Sequence, residues 1–269
     1  MMYKLIAADI DGTLLNDMGQ LTEGNIEAVR KAVDKGVIFT IATGRPIQGV
    51  VHLVEALNLD IPLITYNGAM VIKGKSREIL YERKLSEEDA RTIIGWGREK
   101  DISVMVWKNN NLYVTKMDER VEKYRSISKV EAILIKDLDE VVKGGVSKVL
   151  WYDDVEKINE YQKQIGKYIS NNVNYHTSQP FFLEFNDKLA SKAIAMENLG
   201  KHFGIKQSEM IAIGDGYNDL SMIEYAGLGV AMANSPEEIK QRADYVTLSN
   251  NEDGVAHVIR KFILKTVKF

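Results

Sequence analysis

Asp9-Ile-Asp-Gly-Thr-Leu-Leu15 decides how this chain is read. It follows Tyr3-Lys-Leu-Ile-Ala-Ala8, a short apolar run of the kind buried as a parallel strand. Two carboxylates then arrive one residue apart, with glycine and threonine directly after them. Side chains alternate along a strand, so Asp9 and Asp11 share a side provided the extended geometry persists to the strand end. Ligands of open α/β sheets bind outside the carboxyl ends of the strands, where this pair falls. Asp-Gly is also ordinary turn chemistry, so the stretch alone leaves a site and a turn both open.

Working outward, Thr22 is placed to cap a helix with apolar positions Ile26, Val29 and Val33, ended by Gly36. Val37–Ala42 reads as a second buried strand stopping at Thr43-Gly44-Arg45-Pro46, and Pro46 suits the first turn of a following helix. Pro62–Tyr66 is a third strand, ending at Asn67-Gly68. Strand and helix in alternation predict an α/β fold with a doubly wound, mostly parallel, Rossmann-like sheet. Three consecutive strand ends then deliver a polar, glycine-containing turn to one edge.

The texture changes near Leu80. Ser86-Glu-Glu-Asp89 caps a helix running to about Arg98, and Ile102–Trp107 and Leu112–Thr115 flank Asn109-Asn110-Asn111 as a β-hairpin. Strands at Ala132–Ile135, Lys148–Tyr152, Val173–Thr177 and Phe181–Phe185, with a helix from Val155 to Ile169, predict a separate α+β module set into the first. The expected boundaries are 1–82 and 187–269 for the core and 83–186 for the insert. The core rhythm returns with Ser191 before a helix to Phe203. A strand at Met210–Ile213 then ends at Gly214-Asp-Gly-Tyr-Asn-Asp219. Leu228–Met232, a helix opened by Ser235-Pro236, a strand at Tyr245–Leu248 and a helix over Val255–Leu264 complete the reading.

Composition narrows the chemistry. Of 269 residues, 45% are hydrophobic and 27% charged, with net charge −3, so an ordinary globular core is expected and no basic footprint for nucleic acid is visible. No apolar run is long enough to span a bilayer, and the chain opens on a strand in place of a signal peptide, so a cytoplasmic protein is expected. Cysteine is absent, which removes thiolate metal sites and thiol nucleophiles. The histidines, His52, His176, His202 and His257, lack metal-ligand spacing.

If the sheet assembles as read, Asp9, Asp11, Asp215 and Asp219 meet at one edge. Four carboxylates in a small cleft repel, and their pKa values rise unless a cation joins them. Oxygen-only donors suit Mg²⁺, which often shares its shell with a phosphate. Thr43, the backbone N–H groups around Gly44, and a lysine could hold phosphate oxygens, with Lys192 the candidate. A solvated surface lysine is the plainer reading of Lys192.

Asp9-Ile-Asp-Gly-Thr-Leu-Leu15, Ala42-Thr-Gly-Arg45, Asn67-Gly-Ala69, Lys192 and Gly214-Asp-Gly-Tyr-Asn-Asp-Leu-Ser-Met222 occur in an order that resembles the haloacid dehalogenase-like hydrolases. Within that superfamily the chain is most similar to the Cof-type phosphatases, which carry an inserted α/β cap of type IIB. The likeness spans essentially the whole chain. One departure is Ala193 after Lys192, where the family usually has glycine. The resemblance implies that Asp9 attacks phosphorus and becomes an aspartyl phosphate. Asp11 then protonates the leaving alcohol and later accepts a proton from water. It further implies Mg²⁺ held by Asp9, the Asp11 carbonyl and Asp215. Thr43, Gly44, Lys192 and Asn218 would hold the phosphoryl group, and Asp219 would orient Asp215 or Lys192.

Other readings stand beside these. Gly74-Lys75-Ser76 is no phosphate loop, because the earlier glycine such a loop needs falls on Ala69. Arg45 could bind phosphate or pair with an acidic neighbour, and Asn67 could touch substrate or only shape a turn. Trp107, Asn109 and His176 could face substrate, although aromatics of such an insert are mostly core. The expected activity is Mg²⁺-dependent hydrolysis of small phosphorylated metabolites, sugar phosphates foremost, with the insert as a lid. The rivals are a phosphosugar mutase, a non-catalytic phosphosugar-binding regulator and a phospho-receiver module. The physiological substrate, the oligomeric state and any protein partner leave no trace in the sequence.

Overall fold

The computed structural model describes residues 3–266. The opening apolar run forms β1, Leu5–Ala8, with every residue buried. The chain then leaves extended geometry in a tight turn over Ile10–Leu14, closed by the Leu15 N–H on the Ile10 carbonyl. Thr22 accepts from the Asn25 N–H and starts α1, Glu23–Asp34, which buries Ile26 and Val29. β2, Ile38–Ala42, follows; beyond Pro46 a short turn over Ile47–Gly49 precedes α2, Val51–Leu57. Then come β3, Pro62–Thr65, and two further strands, β4, Met70–Lys73, and β5, Ile79–Glu82.

The insert begins with α3, Glu87–Glu99, whose Ser86 cap accepts from the Asp89 N–H. It continues through β6, Ser103–Lys108, β7, Asn111–Val114, α4, Glu119–Ser128, and β8, Ala132–Leu134. Next are α5, Leu138–Val142, β9, Lys148–Tyr152, α6, Val155–Ile165, β10, Val173–Gln179, and β11, Phe182–Asp187. The chain returns with α7, Lys192–Phe203, β12, Met210–Gly214, α8, Leu220–Tyr225, and β13, Leu228–Ala231. It closes on α9, Glu237–Arg242, β14, Tyr245–Val246, and α10, Gly254–Ile259, which passes into a wider turn over Arg260–Leu264.

Two units result: Met1–Tyr81 with Ser191–Phe269, and Glu82–Ala190. The return boundary falls four residues later than expected, because β11 stays paired to β10 as far as Asp187 and the Ala190 N–H still bonds the Asp187 carbonyl. In the first unit the strand order is β14-β13-β12-β1-β2-β3-β4-β5. Pairing is parallel from β14 to β3, and β3 with β4 is antiparallel. The winding reverses at β1, which lies between β2 and β12; this is the switch point where such sheets bind ligands. Leu5, Ala7, Met210 and Ala212 pack beneath Ala195, Met196 and Leu199 of α7 and Met222 of α8. α1 packs against β2 and α10.

The second unit is a six-stranded sheet, β10-β11-β9-β6-β7-β8, antiparallel except for β7 with β8. Its core joins Ile93 and Ile94 of α3 and Ile158 of α6 to Val104, Val106, Trp151 and Phe185 of the sheet. The hairpin turn is shorter than the asparagine run suggested. Lys108 pairs with Asn111, and only Asn109 and Asn110 make the turn, both at positive φ (49° and 62°). Trp107 is wholly buried and donates to the Tyr124 hydroxyl, a core role. α6 stops at Ile165, short of the expected Ile169. β4, β5 and α4 carry too little periodicity to be read from the sequence: α4 buries only Val121, Tyr124 and Ser128.

Candidate active site

The site grows from four strand ends of the first unit. Asp9 follows β1, Thr43 follows β2, Tyr66 follows β3 and Asp215 follows β12, all at the carboxyl side of the sheet. The Asp9 N–H bonds the Ile213 carbonyl (3.0 Å), so the first acidic residue is fixed beside the loop that carries Asp215. Asp9, Asp215 and Asp219 each offer a carboxylate oxygen, and these lie within 4.8 Å of one another.

Lys192 binds this cluster. Its Nζ donates to Asp9 Oδ1 (2.6 Å) and Asp219 Oδ1 (2.5 Å), and its side chain is wholly buried. The plainer reading of a solvated lysine is therefore wrong; the sheet and α7 close over it. Ala193 sits in the first turn of α7 and leaves the lysine in place. Asp219 Oδ2 accepts from the N–H groups of Asp215 and Gly216 (3.1 and 2.9 Å), so Asp219 orients Lys192 with one oxygen and the Asp215 loop with the other.

Burial pushes the Asp9 carboxyl up to about 7, against the lowering pull of Lys192 and with the help of Asp219 and Asp215. Burial likewise raises Asp215 to about 6, opposed by the hydrogen bond from Thr13. For Lys192 burial opposes the charge, yet Asp9 and Asp219 hold its pKa above the usual lysine value. The cluster thus concentrates negative charge that a single ammonium does not fully offset.

The turn after β1 explains its glycine. Gly12 sits at φ +75°, and a β-carbon there would collide with the Asp215 carboxylate. Thr13, buried beside it, donates to Asp215 Oδ1 (2.9 Å). Asn234 Nδ2 donates to the Gly12 carbonyl (2.8 Å) while its Oδ1 accepts from the Asn250 N–H. The sequence reading gave neither Thr13 nor Asn234 a role. The place of Thr13 inside the acidic turn was the available clue, and Asn234 offered none.

Asp11 corrects an expectation. It does not join the acidic cluster; its carboxylate is largely exposed and takes two bonds from Arg45, Nη2 to Oδ1 (2.6 Å) and Nε to Oδ2 (3.1 Å). The reason is local. Regular pairing ends at Ala8, and the turn over Ile10–Leu14 breaks the alternation that would have put Asp9 and Asp11 on one side. Arg45 accordingly pairs with an acidic neighbour.

Thr43 is buried and its Oγ1 accepts from the Arg45 N–H (3.1 Å), while its carbonyl accepts from Asn67. The Asn67 side chain lies against Gly44, close enough that a β-carbon on Gly44 would come within 2.9 Å of Oδ1. Tyr66, Asn67 and Gly68 all have positive φ (52°, 55° and 98°), a run of strained backbone typical of functional loops. Gly68 is demanded by a close approach, since a β-carbon would strike the Ser191 carbonyl at the start of α7. The Asn67-Gly68 turn therefore seats the helix that presents Lys192. Asn218 is exposed on its loop beside Gly216, outside the carboxylate cluster.

All the donors offered to a metal are oxygens. The bonds described occupy both oxygens of Asp219, Oδ1 of Asp9 and Oδ1 of Asp215, which leaves Asp9 Oδ2 and Asp215 Oδ2 for a cation. Two raised carboxyls side by side are what a hard divalent ion relieves, so the residues fit one.

A buried carboxylate locked to a buried lysine, with two more acids at a sheet switch point, suits a phosphoric monoester hydrolase. Comparison with known proteins gives the family. The haloacid dehalogenase-like hydrolase pattern matches residues 6–259, and the chain belongs to that family. It is 38% identical over 268 residues to YxeH of Bacillus subtilis (strain 168), covering 98% of this chain and 99% of that one. To the 5-amino-6-(5-phospho-D-ribitylamino)uracil phosphatase YcsE of the same organism it is 34% identical, over 97% and 96% of the two chains. Among solved structures, the subclass IIB sugar phosphatase BT4131 superposes with a TM-score of 0.79 at 29% identity, covering 96% of this chain and 98% of that one. Hydrolases of this family generally use a divalent metal, and the acidic cluster here suits one. Among the described residues no helix is long and apolar enough to cross a membrane.

Proposed function

We propose that this protein hydrolyses small phosphorylated metabolites with a polyhydroxylated leaving alcohol, sugar phosphates foremost, using Mg²⁺ and an aspartyl-phosphate intermediate. The observation behind it is Lys192, buried and donating to both Asp9 and Asp219 at the switch point of the sheet. The substrates of the relatives YcsE and BT4131 support the substrate class, since a ribityl chain and a sugar both present hydroxylated carbon next to the phosphate ester. The catalytic residues all belong to the first unit, and the insert serves substrate selection.

In this reading Lys192 favours the ionised form of Asp9 against its burial and points its Oδ1. Asp9 attacks phosphorus through a carboxylate oxygen as the bond to the leaving oxygen breaks, and Asp11 gives that oxygen its proton. Water then attacks the acyl phosphate, passing a proton to Asp11; inorganic phosphate leaves and Asp9 is restored. Thr43, the Gly44 N–H, Lys192 and Asn218 hold the phosphoryl oxygens. Mg²⁺, held by Asp9, Asp215 and the Asp11 carbonyl, would neutralise charge on the transferring group. Asp219 and Thr13 keep Lys192 and Asp215 in position.

The test is release of inorganic phosphate from a panel of phosphorylated sugars, polyols and nucleotides with MgCl₂, compared as kcat/KM. Highest values on sugar or polyol phosphates are expected. Conversion to an isomeric phosphate without phosphate release would establish a mutase instead, and no turnover of any ester would leave only binding.

A further inference from the structure

We infer that β8, the outer strand of the second unit's sheet, is a self-association edge: two copies of this chain pair β8 with β8, antiparallel, about a two-fold axis at Ile133. The sheet ends at β8, which among the described residues has β7 on one side and no strand on the other. Successive strand residues turn their N–H and C=O groups to opposite sides. The Ile135 N–H bonds the Val114 carbonyl, so Ile133 and Ile135 address β7, and the backbone groups of Ala132 and Leu134 face outward. Sheet edges are commonly blunted by a charge, a proline or a bulge, and Ala132-Ile-Leu134 has none of these. Ile133 is 44% exposed beside Tyr113 on one face, and Leu134 is 46% exposed beside Val114 on the other. Ile127, near the end of α4, is exposed as well. The opposite edge, β10, instead exposes Asn174, Thr177, Ser178 and Gln179.

Backbone direction and charge together select a second copy and its register. Two-fold pairing must set outward-facing residues opposite one another, which leaves registers centred on Ala132, Ile133 or Leu134. Centred on Ile133, Ala132 lies opposite Leu134 of the second copy, and the two exchange both N–H···O bonds. Ile133 meets its own copy in a non-hydrogen-bonded pair, the kind whose side chains approach most closely. Continuing outward, Lys129 falls opposite Asp137 and Glu131 comes beside Lys136, all of them exposed. Opposite charges thus meet at both ends of the paired strands. Centring on Leu134 would oppose Glu131 to Asp137, and centring on Ala132 would set Glu131 against Ile133. The contact Glu131 makes with Arg125 within one chain is exposed and holds it only weakly. β8 is short, so the dimer is reversible, and each copy has a single such edge, so association closes at two.

Sedimentation equilibrium of the full chain over a wide concentration range should show the mass rising from one chain towards two and no further. Ile133→Lys sets two ammonium groups face to face on the axis. It should leave monomer at every concentration, with the melting temperature of dilute wild type, because the residue is exposed. Glu131→Lys should weaken the dimer about 10-fold by opposing Lys136, and adding Lys136→Glu should restore it. The register has its own readout, because the chain has no cysteine. Ile133→Cys brings two Cα atoms to about 4.5 Å across the axis, within disulfide reach, whereas Leu134→Cys leaves its two copies more than about 7 Å apart. With oxidised glutathione, Ile133→Cys should cross-link into a dimer and Leu134→Cys, at matching exposure, should not. A wild type that stays monomeric throughout overturns the inference and leaves this edge to a different partner. A dimer that survives Ile133→Lys, or equal cross-linking of the two cysteine variants, overturns it as well.

Discussion

Lys192 Nζ lies 2.6 Å from Asp9 Oδ1, and the lysine is wholly buried while Asp9 is nearly so, although 183 residues separate them in the chain. A charge pair of this kind is expensive to bury and is retained only with good geometry, which Asp219 completes on the other side of the ammonium.

Removing the lysine should therefore damage both stability and rate. Lys192→Met leaves Asp9 and Asp219 buried without a cation, and the expected loss of folding free energy is about 3–5 kcal/mol in metal-free protein. Urea denaturation measures it. Hydrolysis of p-nitrophenyl phosphate by whatever fraction stays folded should fall by at least ~100-fold, since a donor to the reacting group is lost.

Asp9→Asn keeps the shape of the side chain, and Lys192 retains Asp219. The variant is expected to fold with a melting temperature close to wild type and to release no p-nitrophenol. Retained turnover in Asp9→Asn would remove Asp9 as the nucleophile.

Acid should favour the metal-free fold at this cluster. Asp9 has a folded pKa of about 7 and Asp215 of about 6, both above the ordinary 3.8. A carboxyl with a raised folded pKa binds its proton more tightly in the folded state. These two groups therefore make stability fall as pH rises from about 4 to about 7, with the full penalty present above that. Lys192, raised by Asp9 and Asp219 against its burial, keeps its stabilising charge throughout that window. Mg²⁺ competes with the protons, so the increase in melting temperature on adding MgCl₂ should be larger at about pH 8 than at about pH 5. An equal shift at both values would contradict binding at Asp9 and Asp215.

Gly12→Ala tests the acidic turn. The new methyl would meet the Asp215 carboxylate and force an L-residue to φ +75°, a conformational cost of about 1–2 kcal/mol. Displacing Asp215 should also weaken Mg²⁺ binding by about 10-fold or more, read by calorimetric titration. Thr13→Val, which deletes the hydroxyl bond to Asp215 Oδ1, should weaken binding in the same direction by a smaller factor.

The sequence by itself determined the alternation of buried strands with helices, the polar turns at the strand ends, and the insert between Leu80 and Asp187. Apolar runs of strand length, capping residues such as Thr22, Ser86 and Ser191, and glycine-bearing turns act within a few residues, so they can be read without coordinates. It also held the oxygen-only donor chemistry, because cysteine is absent and the histidines are scattered. Tertiary structure alone decided which of those groups meet. Lys192 reads as a surface lysine until α7 packs on the sheet. Asp11, two residues from Asp9, turns away because the backbone leaves the strand at Ala8. Thr13 and Asn234 acquire partners only when β12 and the loop after β13 come alongside β1. Local propensity is a short-range property of the chain, whereas desolvation, ion pairing and the collision that demands Gly12 depend on residues brought together from some 200 positions away.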